Sequence, residues 1–131
     1  MDASPWYANL IKPAFAPPAW LFGPVWTVLY VGIAASFGSV FYLFYQGKLS
    51  GWVALPFVLN LVFNLAFSPI QFRLQNNILA AIDILLVLGT LIWALIVIHP
   101  HAAWVSYINI PYLLWVSFAT LLQLSVTWLN R

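Results

Sequence analysis

The sequence predicts an all-α integral membrane protein, a helical bundle with four transmembrane helices. Hydrophobic residues make up 65% of the 131 residues, and charged residues only 5%. The mean hydropathy is +1.00. A soluble domain carries about 25% charged residues, so the surface of this chain must face lipid rather than water. The strict alternation of apolar and polar residues that is typical of a membrane β-barrel is missing, which favours helices.

The few charged residues divide the chain into its expected helices. They are Asp2, Lys12, Lys48, Arg73, Asp83 and Arg131. A spanning helix needs about 20 apolar residues. The stretches that end at Lys48 and Arg73 therefore hold one helix each, and the remainder holds two, broken near His99 to His101. We expect one domain over 1–131, with a surface loop over 1–17 and helices at about 18–46, 51–72, 77–98 and 103–129.

The basic residues also predict the orientation in the membrane. With four crossings, Lys12, Arg73 and Arg131 share one side, and Lys48 stands on the other. Short cytoplasmic loops carry an excess of Lys and Arg. We therefore expect both termini in the cytoplasm.

Several classes of chemistry are excluded or disfavoured. The chain has no cysteine, which excludes disulfides, thiolate metal sites and cysteine nucleophiles. Four basic residues form no basic stripe, so we expect no nucleic-acid partner. His99 and His101 could ligate a haem iron or another metal. They flank Pro100 in a turn without further ligands, so we favour surface histidines, no metal site and no required cofactor.

Polar and aromatic side chains recur at helical spacing. A polar stripe on the second helix consists of Asn60, Asn64, Ser68 and Gln71. Three aromatic residues of the first helix stand at helical spacing: Trp26, Tyr30 and Phe37. On the last helix, one face combines two aromatic with two apolar residues: Tyr112, Trp115, Ala119 and Leu122. The polar stripe should face the bundle interior, because polar groups that face lipid are costly. Two interpretations stay open: polar groups that hold helices together, or a cavity for a flat apolar ligand.

Asp83 is the only acidic residue inside an expected span. An ionisable residue within the membrane is a functional candidate. Because it lies about two turns into its helix, within reach of the interface, we favour a structural acid. It would accept hydrogen bonds from loop donors such as Trp6 or Lys12.

Two long motifs resemble a known family. The first runs from Trp6-Tyr7 through Lys12-Pro13 and Trp20 to Gly23-Pro24-Val25-Trp26 and Leu29-Tyr30. The second is Pro111-Tyr112-Leu113-Leu114-Trp115, followed by Phe118-Ala119-Thr120. Together they resemble the TspO/MBR family of tryptophan-rich sensory or translocator proteins. Asn64, Pro69 and Asp83 also fall where this family has them, so the resemblance covers essentially the whole chain.

The resemblance implies a membrane bundle that binds porphyrins, sterol-like lipids and benzodiazepine-type ligands in a cavity covered by the first loop. The implied ligand-binding residues are Trp26, Tyr30, Asn64, Phe67, Trp115 and Ala119. The implied covering loop contains Trp6, Tyr7, Lys12, Pro13 and Trp20. In some bacterial members, the tryptophans at the positions of Trp26 and Trp115 are linked to light-dependent porphyrin breakdown.

The sequence departs from the family pattern in three places. The family has five helices, and its first helix precedes the Trp-Tyr motif. Here either this member has four helices or the chain begins late. A second copy of the chain, in a homodimer, would take the place of the missing helix. Phe67 stands where the family has Trp, which keeps an aromatic wall but removes an indole. The tyrosine of the animal sterol motif is absent.

Three functions therefore remain in competition. The one we favour is a receptor or carrier that binds porphyrin or another tetrapyrrole within the membrane. The second is a light-dependent enzyme that degrades porphyrin by means of Trp26 and Trp115. The third is a structural or regulatory membrane protein without a ligand.

Overall fold

The computed structural model describes residues 21–130, apart from a few side chains. The long helices are α1 (Phe22–Tyr45), α2 (Gly51–Ser68), α3 (Asn77–Ile98) and α5 (Ile110–Leu129), and the short helix α4 is Ala103–Ile108. The expected surface loop over 1–17 and the expected beginning of the first helix at residue 18 lie outside the described residues.

The long helices have the length and composition of membrane spans. Gly23–Tyr45, Asn77–Ile98 and Ile110–Leu129 each suffice to cross a bilayer, and the fourth apolar helix, α2, is shorter. Its 18 residues rise about 27 Å, close to the hydrocarbon thickness of about 30 Å. The outward faces carry large apolar side chains such as Val31, which is 68% exposed, and Ile96, which is 66% exposed. The chain is an integral membrane helical bundle.

A glycine ends α1. The Gly47 N–H donates to the Phe44 carbonyl at 3.0 Å, and the Lys48 N–H donates to the Leu43 carbonyl at 2.9 Å. This hydrogen-bond pair is the Schellman motif, which places a residue with positive φ just after the helix. Gly47 has a φ of 77°. The chain can therefore reverse direction within a few residues and enter α2.

Pro69 changes the helical geometry at the end of α2. The sequence predicts one helix over 51–72, whereas Pro69–Arg73 forms a π-helical turn. The Leu74 N–H accordingly donates to the Pro69 carbonyl at 3.0 Å, five residues back. Proline has no N–H and crowds the preceding turn, which favours this wider turn. Asn76 then caps α3, since its Oδ1 accepts from the Leu79 N–H at 2.9 Å.

The last expected helix, 103–129, is divided. Asn109 separates α4 from α5 and has a φ of −95° and a ψ of 6°, and Pro111 lies in the first turn of α5. In an uninterrupted helix, the Pro111 ring would clash with the Tyr107 carbonyl. The first turn of a new helix tolerates proline, because its N–H would have no partner there.

Helix α3 is the centre of the bundle and packs against α2 on one side and α5 on the other. Ala80 and Ala94 on α3 are completely buried. Small residues let helix backbones approach closely, which supplies the packing energy of membrane bundles. Helix α1 contacts α2 and α4. Its Phe37 ring meets the Phe57 ring of α2 edge to face, with centroids 4.8 Å apart.

Polar side chains connect the helices at the end of the bundle that contains α4. The Asn109 amide nitrogen donates to Ser36 Oγ on α1 at 2.9 Å and to the Val105 carbonyl at 2.8 Å. Ser106 Oγ donates to the Leu95 carbonyl of α3 at 2.8 Å. Because Ser36, Ser106 and Asn109 are buried, these bonds fix how α4 sits between α1 and α3.

We predict that Ser36→Ala lowers the free energy of unfolding by about 1 kcal/mol, the usual scale of a hydrogen bond between membrane helices. The matched control is Ser39→Ala. Ser39 Oγ donates only to the Ala35 carbonyl of its own helix, at 2.8 Å, so its loss should change stability little. Reversible unfolding in bicelles, followed by steric trapping, measures both. Equal losses in the two variants would contradict the role of Ser36.

The helix order predicts that the α1–α2 connection and the α2–α3 connection lie on opposite sides of the membrane, because α2 alone separates them. Gln46 and Leu74 are exposed and suit single cysteines, since Gly47 and Gln75 both have positive φ. The chain has no native cysteine, so background labelling is absent. A membrane-impermeant maleimide should label each variant from a different side. Labelling of both from the same side would show that α2 does not cross.

Candidate ligand-binding site

An aromatic cluster joins α1 to α5. The Trp26 ring lies 5.4 Å from the Tyr30 ring, one turn further along α1. It also meets two rings of α5 edge to face, Tyr112 at 6.3 Å and Trp115 at 6.5 Å. Residues spaced by three or four lie on one helix face, so each helix contributes two rings to the cluster. Edge-to-face contact is a favoured arrangement for aromatic pairs.

A chain of hydrogen bonds runs beside this cluster. The Tyr30 hydroxyl donates to Asn64 Oδ1 at 2.9 Å. Asn64 Nδ2 donates to the Tyr112 hydroxyl at 2.7 Å, and that hydroxyl donates to Asn60 Oδ1 at 2.8 Å. Asn60 Nδ2 completes the chain by donating to the Val87 carbonyl at 2.9 Å. We call these residues the Tyr112 network. It connects α1, α2, α5 and α3.

The network accounts for the polar stripe on α2. Asn60 is fully buried and Asn64 is 5% exposed, so both face the interior, as expected. Their partners lie on three other helices, which is the arrangement expected of polar groups that hold helices together. The side chains of Ser68 and Gln71, the other members of the stripe, lie outside the described residues.

The structure brings together four of the six implied ligand-binding residues, Trp26, Tyr30, Asn64 and Trp115, through the ring contacts and hydrogen bonds above. Phe67 and Ala119 are partly buried against the hydrophobic core. Trp6, Tyr7, Lys12, Pro13 and Trp20, the implied covering loop, lie outside the described residues.

Tyr112 is the residue that the sequence interpretation missed as a site residue. It contacts Trp26 through its ring and both asparagines through its hydroxyl. The available signal was its place on the same helix face as Trp115, together with the need of a buried tyrosine hydroxyl for a partner. It is only 1% exposed.

An open apolar groove lies between α1 and α5, directly beside the cluster. It encloses about 490 Å³ and includes Trp115 in its wall. The remaining lining residues are Leu21, Val25, Leu29, Pro111, Leu114 and Phe118. Ligand sites typically enclose 300–1,000 Å³ and are mainly apolar with few polar groups. The groove is apolar and its volume lies in this range, and Trp115 in its wall contacts Trp26 of the aromatic cluster.

Asp83 and the histidines take part in none of these contacts. Asp83 is 5% exposed, and its Oδ2 has no hydrogen-bond partner within residues 21–130. Its expected donors Trp6 and Lys12 lie outside the described residues. His99 and His101 are exposed, and His99 Nε2 lies 3.3 Å from the Tyr107 hydroxyl.

The sequence is similar to known membrane proteins over nearly its whole length. Residues 1–129 match the TspO/MBR family. The uncharacterized membrane protein YtaB of Bacillus subtilis is 36% identical over 126 residues, which cover 95% of this chain and 80% of YtaB. The tryptophan-rich protein TspO of Archaeoglobus fulgidus is 35% identical over 127 residues, covering 95% and 80% of the two chains. The translocator protein of Homo sapiens is 36% identical over 129 residues, which cover 92% of this chain and 72% of the human protein. This chain therefore belongs to the TspO/MBR family.

Proposed function

We propose that this chain is a membrane receptor or carrier that binds a tetrapyrrole, such as a porphyrin, between α1 and α5. The observation that carries the proposal is the aromatic cluster of Trp26, Tyr30, Tyr112 and Trp115 beside an open apolar groove. One relative is named a translocator protein, and this name agrees with a carrier role.

The chemistry of the groove suits a flat, apolar ring system. A ligand that inserts between the helices would replace edge-to-face contacts with stacking on Trp26 and Trp115. Each aromatic pair contributes about 0.5–1.5 kcal/mol beyond burial. Because the groove is open and its helices cross the membrane, the ligand would enter sideways from the lipid.

The membrane interface and neighbouring molecules would complete the site. The carboxylates of a porphyrin would lie at the interface, near Lys12 or Trp20, and the first loop would cover the site. The excess of basic residues on one side supports an orientation with both termini in the cytoplasm. Lipid, and a second copy of this chain in a homodimer, are the proposed partners of the exposed helix faces.

We predict that Trp26→Ala combined with Trp115→Ala weakens protoporphyrin IX binding about tenfold, because two aromatic contacts are lost. The matched control is Trp52→Ala combined with Trp104→Ala. It also removes two indoles, which are 77% and 46% exposed. Porphyrin fluorescence in lipid nanodiscs should be measured, so that loss of tryptophan emission does not affect the result. Unchanged affinity in the first double variant would contradict the site. Absence of saturable binding in the wild type would favour a structural or regulatory role.

Light-dependent porphyrin breakdown is the second candidate function. The observation that favours it is the contact of the Trp26 and Trp115 rings, at 6.5 Å and nearly perpendicular. Two indoles in contact, next to a bound pigment, could donate electrons to its photoexcited state or to the oxygen species it produces.

We predict that, under illumination, bound protoporphyrin IX loses its absorbance faster in the wild type than in Trp115→Phe, because the variant lacks one of the two electron-donating indoles. The comparison uses equal occupancy and identical light, with Trp104→Phe as control for general photodamage. Equal decay rates in all three proteins would mean that the porphyrin destroys itself, and that the chain only binds it.

A further inference from the structure

The Tyr112 network has one possible direction of hydrogen-bond donation. We infer that the site beside Trp26 and Tyr30 selects ligands that present a hydrogen-bond donor, an N–H or O–H group, to the exposed end of the network, where Tyr30 meets Asn64. Ligands of the same shape that present an acceptor there are disfavoured. The inference rests on the proposed function, because it specifies the ligand chemistry of the same site.

The direction is fixed at the deep end of the network by the backbone. Asn60 Nδ2 donates to the Val87 carbonyl at 2.9 Å and to Thr90 Oγ1 at 3.2 Å. A carbonyl oxygen can only accept, and the Thr90 proton is directed to the Leu86 carbonyl at 2.7 Å. Both partners therefore require a donor. The amide nitrogen of Asn60 must face α3, and its Oδ1 must face Tyr112.

Tyr112 transmits this direction to the next asparagine. A phenol has one proton, and the Tyr112 proton is donated to Asn60 Oδ1 at 2.8 Å. Its oxygen then accepts from Asn64 Nδ2 at 2.7 Å. If the Asn64 amide turned over, both asparagine oxygens would compete for this single proton. One buried acceptor would lose its hydrogen bond, which is costly away from water.

The exposed end of the network consequently offers acceptors. Asn64 Oδ1 accepts the Tyr30 proton at 2.9 Å, and a carbonyl oxygen has a second lone pair. The Tyr30 oxygen also retains lone pairs once its proton is donated to Asn64. Tyr30 is 37% exposed, and its ring contacts Trp26, which in turn contacts Trp115 in the wall of the groove. A pyrrole-type N–H or a hydroxyl continues the network, whereas an ether or carbonyl oxygen would meet lone pairs.

Two small aromatic probes distinguish these cases. Carbazole and dibenzofuran share a flat frame of three fused rings, with an N–H donor in the first and an oxygen acceptor in the second. Each is titrated into the full chain in nanodiscs through its own fluorescence, with empty nanodiscs as the correction for partitioning. We expect carbazole to bind about tenfold more tightly, which corresponds to about 1.4 kcal/mol. Equal affinities, or tighter binding of dibenzofuran, would overturn the inference.

A pair of matched variants tests the mechanism, since each loses one tyrosine hydroxyl. Tyr112→Phe releases the Asn64 amide, so the preference for carbazole should fall to about equal affinities. Tyr30→Phe removes the terminal hydroxyl but leaves the direction of the network unchanged, so the preference should persist. Loss of the preference in Tyr30→Phe alone would contradict the mechanism. Should Tyr112→Phe fail to fold, the wild type and Tyr30→Phe still decide the question.

The same experiment separates this inference from the porphyrin proposal. Protoporphyrin IX is added as a competitor of bound carbazole. Displacement together with equal affinities of the two probes would support the porphyrin site and reject the donor selectivity. A retained carbazole preference without displacement would reject the porphyrin ligand and support the selectivity.

Discussion

The hydroxyl of Tyr112 is the interaction on which the arrangement of this bundle depends. Lipid offers no water to satisfy a polar group, so every buried donor and acceptor must find a partner inside the protein. The Tyr112 hydroxyl accepts from Asn64 and donates to Asn60, and these asparagines reach α1 and α3 in turn. The Tyr112 oxygen thus links α5 directly to α2 and, through the two asparagines, to α1 and α3.

The position of Tyr112 follows from the interruption before it. Pro111 prevents α4 from continuing into α5, and the interruption falls at Asn109. The side chain of Asn109 donates a hydrogen bond to Ser36 of α1. The new helix then begins with its own phase, which turns Tyr112 and Trp115 toward Trp26. A residue that breaks the helix therefore aims the aromatic side chains.

Holding the helices together and binding a ligand are compatible roles for the same polar residues. Asn60 and Tyr112 are buried and have their partners within the bundle, whereas Tyr30 at the other end is partly exposed. Helix α1 is joined to α5 mainly through side chains, and the groove lies between these two helices. The network can accordingly stabilise the fold at its deep end and meet a ligand at its exposed end.

The sequence by itself determined that lipid is the solvent, where the long helices lie, and which polar and aromatic residues share a helix face. It also indicated the family, because two long motifs stand at the right separation. Hydrophobic periodicity and charge are local properties of the chain, so these conclusions need no tertiary structure. Trp26 with Tyr30, and Asn60 with Asn64, were recognisable as pairs in this way.

Only the tertiary structure decided which faces meet. The bond from Tyr30 to Asn64, the role of Tyr112 as the link between two asparagines, and the anchoring of Asn60 on the Val87 carbonyl depend on helix order and rotation. Periodicity identifies the inward face of each helix but leaves its neighbour undetermined. The π-helical turn at Pro69 and the break at Asn109 likewise depend on how the chain relieves the strain of proline within the packed bundle. The direction of hydrogen-bond donation follows from those contacts, because a backbone carbonyl of one helix fixes the amide of the next.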